Sequence, residues 1–334
     1  MRHEFVPAGR LMKPTFLPLI FLLLSVAAFA CGGGDGGGEE SLPFGLQTQT
    51  VTTGDHVSAM AFAPDGRLFF AEKFTGNIRI VGADGKALSD PFAHLDVADW
   101  LHLDWGLTGL ALDPNFASNH FVYAFYSQPV ESPKDLPIAR PVLVRFTEQN
   151  NKGIDQTVVI DDFPQSRSGH QGFKTNGRIH FGSDGALYLD MGDYDWGKTG
   201  PNGTGAAQDL SLPLGKFLRV DTSGKPLPDN PYVATPGSDP RIFAIGFSRG
   251  FDFAFHPQSK KLYSTDNTDS CEELDIVQAG GNYGWPKRPG KADRAAGAPG
   301  QRPRPVPVVY QRHRHGIRGR REVPADGRGP PDLR

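Results

Sequence analysis

The stretch GRIHFGSDGALYLDMGD, at residues 177–193, decides the fold of this chain. Apolar side chains alternate with other residues on both sides of Asp184 and Gly185, which accept the positive φ angles of a tight turn. An apolar residue at every second position is typical of a strand that is buried on one face. The stretch therefore predicts a β-hairpin.

Three more stretches repeat this pattern of strand, turn and aromatic-rich strand: SAMAFAPDGRLFFAE (58–72), TGLALDPNFASNHFVYAFYS (108–127) and GFDFAFHPQSKKLYSTD (250–266). The spacing of the four turns is wider than the ~40–45 residues of a compact four-stranded blade. No segment between the hairpins has a sustained helical stripe, so folds that alternate strands with helices lose support. Hairpins in series predict an all-β propeller whose blades have long loops, with a β-sandwich as the alternative.

The N-terminus has the layout of a secretory signal, with a basic start, an apolar run at 16–29 and small residues before Cys31. The run is shorter than the ~20 residues that a membrane-spanning helix needs. The stretch AAFAC, followed by a glycine-rich segment, resembles a bacterial lipoprotein signal. The sequence therefore predicts a signal peptide at 1–30, lipidation of Cys31 and a flexible tether at 31–41, in an exported protein attached to the membrane through lipid only. An ordinary signal peptide with an incidental cysteine is the alternative.

The formal net charge of −2 conceals an asymmetry between the two ends of the chain. Residues 287–334 are rich in Arg, Pro and Gly and are net basic, whereas the residues before them are net acidic. An acidic body argues against nucleic acid as a partner and is compatible with a small neutral substrate or a cation. The tail has no hairpin pattern and cannot bury a core, so we interpret it as disordered or as the product of a shifted reading frame. A basic tail that contacts anionic lipid is the alternative.

Five segments, three of which overlap the hairpins, resemble one enzyme family: GLTGLALDPNF (106–116), GHQGFKTNGRIHFGSDG (169–185), AQDLSLPLGKFLRVD (207–221), AIGFSRGFDFAF (244–255) and EELDIVQAGGNYGWP (272–286). Together, and in this order, they resemble the soluble glucose and aldose sugar dehydrogenases that depend on pyrroloquinoline quinone (PQQ). The resemblance begins near residue 45 and implies a six-bladed β-propeller domain at 42–286, incomplete at its C-terminus. It also implies a quinone over the central channel and a calcium ion beneath it.

The resemblance implies that His170 is the general base that takes the proton of the sugar C1 hydroxyl as hydride passes to the quinone. Imidazole suits this step because its pKa lies close to working pH. The family has one compact segment where this chain has His170 and Gln171 followed, several residues later, by Gly177 and Arg178. A match without a gap places Lys174 at the histidine position.

The family also has an arginine that neutralises negative charge on the quinone oxygen. Here Ser248 stands at that position and Arg249 follows it, a shift that turns a strand side chain to the opposite face unless a bulge compensates. The resemblance makes Arg249 a catalytic candidate as well as a quinone ligand. The full set of quinone-binding candidates is Asp104, Gln171, Arg178 and Arg249.

For calcium, the resemblance implies backbone carbonyls at Asn267 and Thr268, with Glu272 and Glu273 as further ligands. The surrounding segment, DNTDSCEELD (266–275), is rich in the oxygen donors that calcium prefers. Cys271 is not a candidate ligand, because calcium avoids sulfur. A solvated acidic loop is the alternative interpretation.

Three functions remain open from the sequence. The first is a quinone-dependent oxidation of a small sugar or aldehyde at the cell envelope, with an unidentified electron acceptor. The second is a non-catalytic propeller that binds carbohydrate or protein, and the third is a calcium-dependent lactone hydrolase. Because one fold hosts unrelated activities, the site must decide between them.

Overall fold

The computed structural model describes residues 49–98, 104–131, 138–167, 174–175, 177–195, 205–267 and 272–286. These residues form β-strands, one four-residue helix and one turn of 3₁₀ helix at Ala206–Gln208. The all-β prediction is therefore confirmed.

The strands form four antiparallel sheets in chain order. Sheet 1 contains β1 (Val57–Phe62), β2 (Leu68–Glu72), β3 (Asn77–Val81) and β4 (Ala93–His94). Sheet 2 contains β5 (Leu107–Leu112), β6 (Phe121–Val130), β7 (Ile138–Gln149), β8 (Lys152–Ile160) and the short β9 (Ser166–Arg167), with helix α1 (Phe116–Asn119) between β5 and β6. Sheet 3 contains β10 (Gly177–Phe181), β11 (Leu187–Met191), β12 (Lys216–Val220) and β13 (Ile242–Ile245). Sheet 4 contains β14 (Gly250–Phe255), β15 (Leu262–Asn267) and β16 (Glu272–Val277).

The four predicted hairpins are the first two strands of the four sheets. In the stretch that opened the sequence analysis, Gly177 pairs with Met191 and Phe181 pairs with Leu187 across the turn. The first strand of each sheet packs on the first strand of the next, and we call these four, β1, β5, β10 and β14, the inner strands. Sheets that follow one another around shared inner strands are the blades of a propeller.

The number of blades differs from the prediction of six, since the described residues form four sheets. The physical reason is the length of the connections, which gives each sheet and its loops more chain than a compact blade takes.

Apolar side chains fill the space between neighbouring sheets, and each middle sheet buries both of its faces. On β6, Val122 and Ala124 face sheet 1 while Tyr123 and Phe125 face sheet 3. Both faces of β6 therefore carry apolar side chains, as is typical of a strand that is buried on both faces. This interleaving fixes how closely the inner strands approach.

Glycine allows that close approach where β10 meets sheet 2. A Cβ atom on Gly177 would overlap the ring of Phe125, which is buried, whereas Gly185 has a φ of 78° and nothing near its missing side chain.

Replacing Gly177 with alanine is therefore expected to lower the free energy of unfolding by about 1–3 kcal/mol through overpacking. Gly185→Ala is the matched control, with about 1 kcal/mol of backbone strain and no steric overlap. Urea unfolding measures both. A steric origin at Gly177 predicts partial recovery in Gly177→Ala with Phe125→Leu, and the absence of any recovery would contradict it.

Arg178 lies where the four inner strands meet. The register of the hairpin ladders shifts at Ser58 in β1, Thr108 in β5 and Phe251 in β14, and such a bulge leaves its residue unpaired. The Arg178 guanidinium, from β10, donates to the carbonyls of these same three residues. The distances are 2.7 Å to Thr108 O and 3.0 Å to Phe251 O. Arg178 therefore ties all four inner strands together.

Asp190 pairs with Arg178 across the β10–β11 ladder and is fully buried. Neither oxygen of its carboxyl group has a hydrogen-bond partner among the described residues. The group lies against Gly250 of sheet 4, at a point where any Cβ atom would overlap it. Burial raises the pKa of Asp190 well above its ordinary value, and the charges of Asp266 and Asp252 raise it further while Arg178 opposes them.

Candidate active site

The antiparallel pairing of each hairpin brings the predicted site residues to one end of the propeller. A residue that precedes an inner strand lies beside the residues that follow the second strand of the same sheet. Asp104 and Arg249 precede β5 and β14, and Asn267 ends β15. We call this end, where the inner strands begin, the upper end.

Asp104 joins three of the inner-strand starts. Its Oδ1 accepts a hydrogen bond from Arg249 Nη2 at 2.7 Å, and its Oδ2 accepts one from the backbone N–H of Lys174 at 2.6 Å. Two candidates that the family resemblance singled out, Asp104 and Arg249, are therefore in direct contact. Lys174, which an ungapped match aligns with the family histidine, contacts Asp104 through its backbone N–H.

Arg249 reaches this position although it stands one residue after the expected arginine. The backbone N–H groups of Ser248 and Arg249 both donate to the Asp266 carboxylate, at 2.9 and 2.7 Å, and the bulge at Phe251 follows directly. A bulge changes which face the neighbouring side chains occupy, and here the Arg249 guanidinium reaches Asp104. The Nε atom of Arg249 is buried without a partner among the described residues, and Ser248 is fully buried with its Oγ likewise unpartnered.

A second group of polar side chains surrounds Lys174, whose side chain is only 9% exposed. Its Nζ lies 3.2 Å from Asp195 Oδ1 and 4.7 Å from the centre of the Trp285 ring. Trp285 Nε1 donates to Asp193 Oδ2 at 2.6 Å, and the backbone N–H of Asp195 donates to Asp193 Oδ1 at 2.9 Å. These contacts connect sheet 3 to the segment that follows sheet 4.

Asp193 is fully buried, and burial raises the pKa of its carboxyl group to about 6, against the lowering effects of the Trp285 hydrogen bond and the Lys174 charge. A carboxyl group with such a pKa can exchange a proton near neutral pH. Sequence reasoning did not select Asp193, Asp195 or Trp285 as site residues. The one available signal was the position of Asp193, an acidic residue two positions after the buried strand β11.

The loop between β11 and β12 of sheet 3 supports Trp285. Gln208 Nε2 donates to Trp285 O at 2.6 Å and to Asn282 Oδ1 at 3.1 Å, and Asn282 Nδ2 donates back to Gln208 Oε1 at 2.8 Å. The turn that carries Gln208 is held by the fully buried Lys216, which donates to the carbonyls of Ala206 and Leu214 at 2.7 and 2.8 Å. Burial lowers the pKa of Lys216 to about 7.

Three of the four predicted calcium ligands, Asn267, Glu272 and Glu273, lie at the upper end of sheet 4, where Asn267 pairs with Glu272 and Asp266 pairs with Glu273. Burial and the neighbouring Asp266 raise the pKa of Glu273, and burial together with Glu273 and Asp266 raises that of Asp275 to about 7. In the described part of the chain no group of three or more His, Cys, Asp or Glu side chains is arranged to hold a metal ion. The described side chains by themselves therefore do not form a calcium site.

Four of the sequence-based site predictions concern residues outside the described ranges: His170, Gln171, Thr268 and Cys31. Arg178 is described, and its donors point to the carbonyls of the inner strands, one layer below Asp104 and Arg249. Its role toward a cofactor stays a prediction. Across the ranges that the structure covers, no helix has the length and apolar character needed to cross a membrane.

Known proteins are similar to this chain in sequence and in structure. The sequence profile of the glucose/sorbosone dehydrogenases matches residues 54–302, which is most of the chain. The quinoprotein glucose dehydrogenase B of Acinetobacter calcoaceticus is 28% identical over 253 residues, covering 70% of this chain and 51% of that protein. An aldose sugar dehydrogenase of Escherichia coli is 29% identical over 234 residues, covering 70% of this chain and 59% of that protein.

Solved structures agree with the sequence comparisons. A Thermus thermophilus protein described as a putative oxidoreductase (glucose dehydrogenase) is 32% identical, with a TM-score of 0.63 over 73% of this chain and 68% of that one. The PQQ-bound aldose sugar dehydrogenase of Streptomyces coelicolor is 28% identical, with a TM-score of 0.58 over 73% of this chain and 66% of that one. The chain spans about half to three-fifths of the length of these curated relatives. The family match over residues 54–302 and the similarity to the Thermus thermophilus structure together show that this chain belongs to the glucose/sorbosone dehydrogenase family.

Proposed function

We propose that the protein oxidises an aldose sugar or a related aldehyde, with PQQ as the hydride acceptor. The observation that carries this proposal is the contact of Asp104 with both Arg249 and Lys174 at the upper end of a propeller of this family. It unites three polar residues, distant in sequence, at the position where the resemblance implies a quinone. A purely structural loop cluster has no need of a half-buried cation with an unpartnered donor.

The described residues fit a planar anionic quinone. Arg249 has an unpartnered buried Nε atom, which can donate to a carbonyl or carboxylate oxygen. The Lys174 ammonium is a second cation within the same cluster. Arg249 and Lys174 would hold the quinone, and the quinone supplies the acceptor for hydride.

The chain's own residues would orient the substrate and move the proton. Asp104 fixes the direction of the Arg249 guanidinium and the position of the Lys174 backbone. The fixed cation stabilises negative charge as it develops, without reorganisation during the step. His170, from the resemblance, is the proposed acceptor of the sugar hydroxyl proton.

The remaining parts of the proposal come from the sequence. Calcium would be bound mainly by backbone carbonyls at Asn267 and Thr268, since the described side chains provide no cluster of their own. A closed ring of six blades requires two sheets in addition to the four described. Lipidation at Cys31 would place the enzyme outside the cytoplasm, on the cell envelope, with a soluble sugar as substrate.

The test is to add PQQ and calcium to the purified protein, measure quinone binding by fluorescence quenching, and assay dye reduction with a panel of aldoses. Arg249→Met is expected to weaken quinone binding by about 10- to 100-fold, because a hydrogen bond to a charged group contributes ~1.5–3 kcal/mol. Arg79→Met is the matched control, since Arg79 pairs with Glu72 on sheet 1 and belongs to no site contact. Absence of both binding and dye reduction in the unsubstituted protein would contradict the proposal.

One observation favours the second candidate function, a propeller that binds carbohydrate without oxidising it. Lys174 and Ser248 occupy the positions where the resemblance expects a histidine and an arginine. Sugar binding by calorimetry, without quinone binding or dye reduction, would support that function in place of the first.

A further inference from the structure

The segment that follows sheet 4 ends at the upper end of sheet 3, where Trp285 enters the candidate active site. The backbone carbonyl of Trp285 is held by Gln208, and its backbone N–H donates to Gly246 O at 3.0 Å. Both backbone polar groups of Trp285 are therefore hydrogen-bonded, which fixes the main chain that carries the indole. Asn282, three residues before Trp285, exchanges two side-chain amide hydrogen bonds with Gln208.

The N–H group and the ring face of the indole contact two different site residues. Its polar edge donates from Nε1 to Asp193 Oδ2 at 2.6 Å, and such a bond favours the ionised carboxylate. Its face lies 4.7 Å from Lys174 Nζ, within the range of a cation–π interaction. One rigid side chain therefore holds an anion and a cation at once.

Phenylalanine at this position would keep the face and lose the donor, whereas leucine would lose both. Both substitutions therefore remove the hydrogen bond to Asp193, and only leucine also removes the ring face from Lys174. Trp105 is the natural comparison, because it also donates its Nε1 to a side-chain oxygen, Ser166 Oγ, at 2.7 Å, although it is fully buried and Trp285 is only partly buried. Trp105 makes no bond to Asp193.

We propose that Trp285 is a positioning residue of the candidate active site, which holds the Asp193 carboxylate and the Lys174 ammonium in their working geometry. This inference deepens the proposed function and rests on it for the consequence in turnover, but the contacts with Asp193 and Lys174 can be tested in the protein without cofactor.

The sign of the effect on Asp193 follows from the hydrogen bond. The bond stabilises the ionised carboxylate and lowers the pKa of Asp193, so its loss raises that pKa above about 6. We expect Trp285→Phe to raise the Asp193 pKa by about one unit or more, since a charge-assisted hydrogen bond is involved. If the enzyme needs ionised Asp193, the acidic limb of the pH profile for turnover moves to higher pH by the same amount.

The experiment is a pH titration of carboxyl-labelled aspartate by carbon-13 NMR, with Asp193→Asn to assign the signal, on the full chain. Trp105→Phe is the control and should leave the Asp193 titration unchanged. A second readout is reductive methylation of Lys174 measured by mass spectrometry. Trp285→Leu is expected to raise its rate several-fold, because the side chain loses its cover, and Trp285→Phe much less.

The possible results separate the two proposals. An Asp193 pKa that rises in Trp285→Phe but not in Trp105→Phe supports the positioning role, whether or not any sugar is oxidised. An Asp193 titration that is the same in Trp285→Phe as in the unsubstituted protein overturns it, even if the protein is an active dehydrogenase. A shifted titration with no quinone binding and no dye reduction would keep the positioning role and remove the proposed function.

Discussion

Replacing Arg178 with methionine is expected to lower the free energy of unfolding by about 3 kcal/mol or more, since several hydrogen bonds from a charged group are lost and each contributes about 1.5–3 kcal/mol. The guanidinium donates to three backbone carbonyls on β1, β5 and β14. Methionine fills similar space and donates nothing, so the carbonyls at these bulges lose their donor, which costs free energy wherever water does not replace it. Asp190 would also lose the charge that opposes its raised pKa.

Urea unfolding followed by circular dichroism measures this loss. Arg178→Lys keeps the charge but not the planar fork of donors, so we expect a loss between those of methionine and the unsubstituted protein. Arg79→Met is the control for removing an arginine from a more exposed ion pair, for which ~1 kcal/mol or less is expected. Equal losses in Arg178→Met and Arg79→Met would show that the inner strands do not depend on this contact.

Replacing His170 with alanine is expected to lower turnover by about 10²- to 10⁴-fold while the quinone still binds, because general-base catalysis contributes that much. Replacing Lys174 with methionine should instead weaken quinone binding, since this removes the ammonium group that pairs with Asp195, next to the backbone contact of Lys174 with Asp104. The two variants therefore separate proton removal from cofactor binding.

Steady-state dye reduction at saturating quinone, together with fluorescence titration of the quinone, distinguishes these effects. Lys152→Met is the control for the loss of a lysine, because Lys152 pairs with Asp90 on the surface, away from the upper end. Full turnover in His170→Ala combined with no turnover in Lys174→Met would move the proton acceptor away from His170. Such a result would also indicate that Lys174, which an ungapped match aligns with the family histidine, is the functional residue.

The hairpins could be predicted from the sequence because they depend on neighbouring residues. The turn at Asp184 and Gly185 and the apolar alternation on either side of it lie within one short stretch, and the observed register follows them. The number of blades could not be predicted this way. It depends on how much chain each connection takes up, and loops carry no period that a pattern can count.

The candidate site was partly accessible to sequence reasoning. The family resemblance identified Asp104 and Arg249, which are in contact, and left open whether the one-residue shift of Arg249 would turn it away. The structure places the Arg249 guanidinium against Asp104, and the nearby bulge at Phe251 has no sequence signature as clear as that of a turn. Asp193 and Trp285 were missed because each looks ordinary in its own segment.

The sequence by itself determined the class of fold, the four hairpins and the family, because each of these rests on residues that act over a few positions or on segments kept in order. Only the tertiary structure decided which side chains meet. Asp104 and Arg249 are 145 residues apart in the chain, and Asp193 and Trp285 are 92 apart. Contacts of this kind depend on how the sheets pack around the inner strands, and there a single arginine, Arg178, and several glycines set the spacing that local patterns cannot encode.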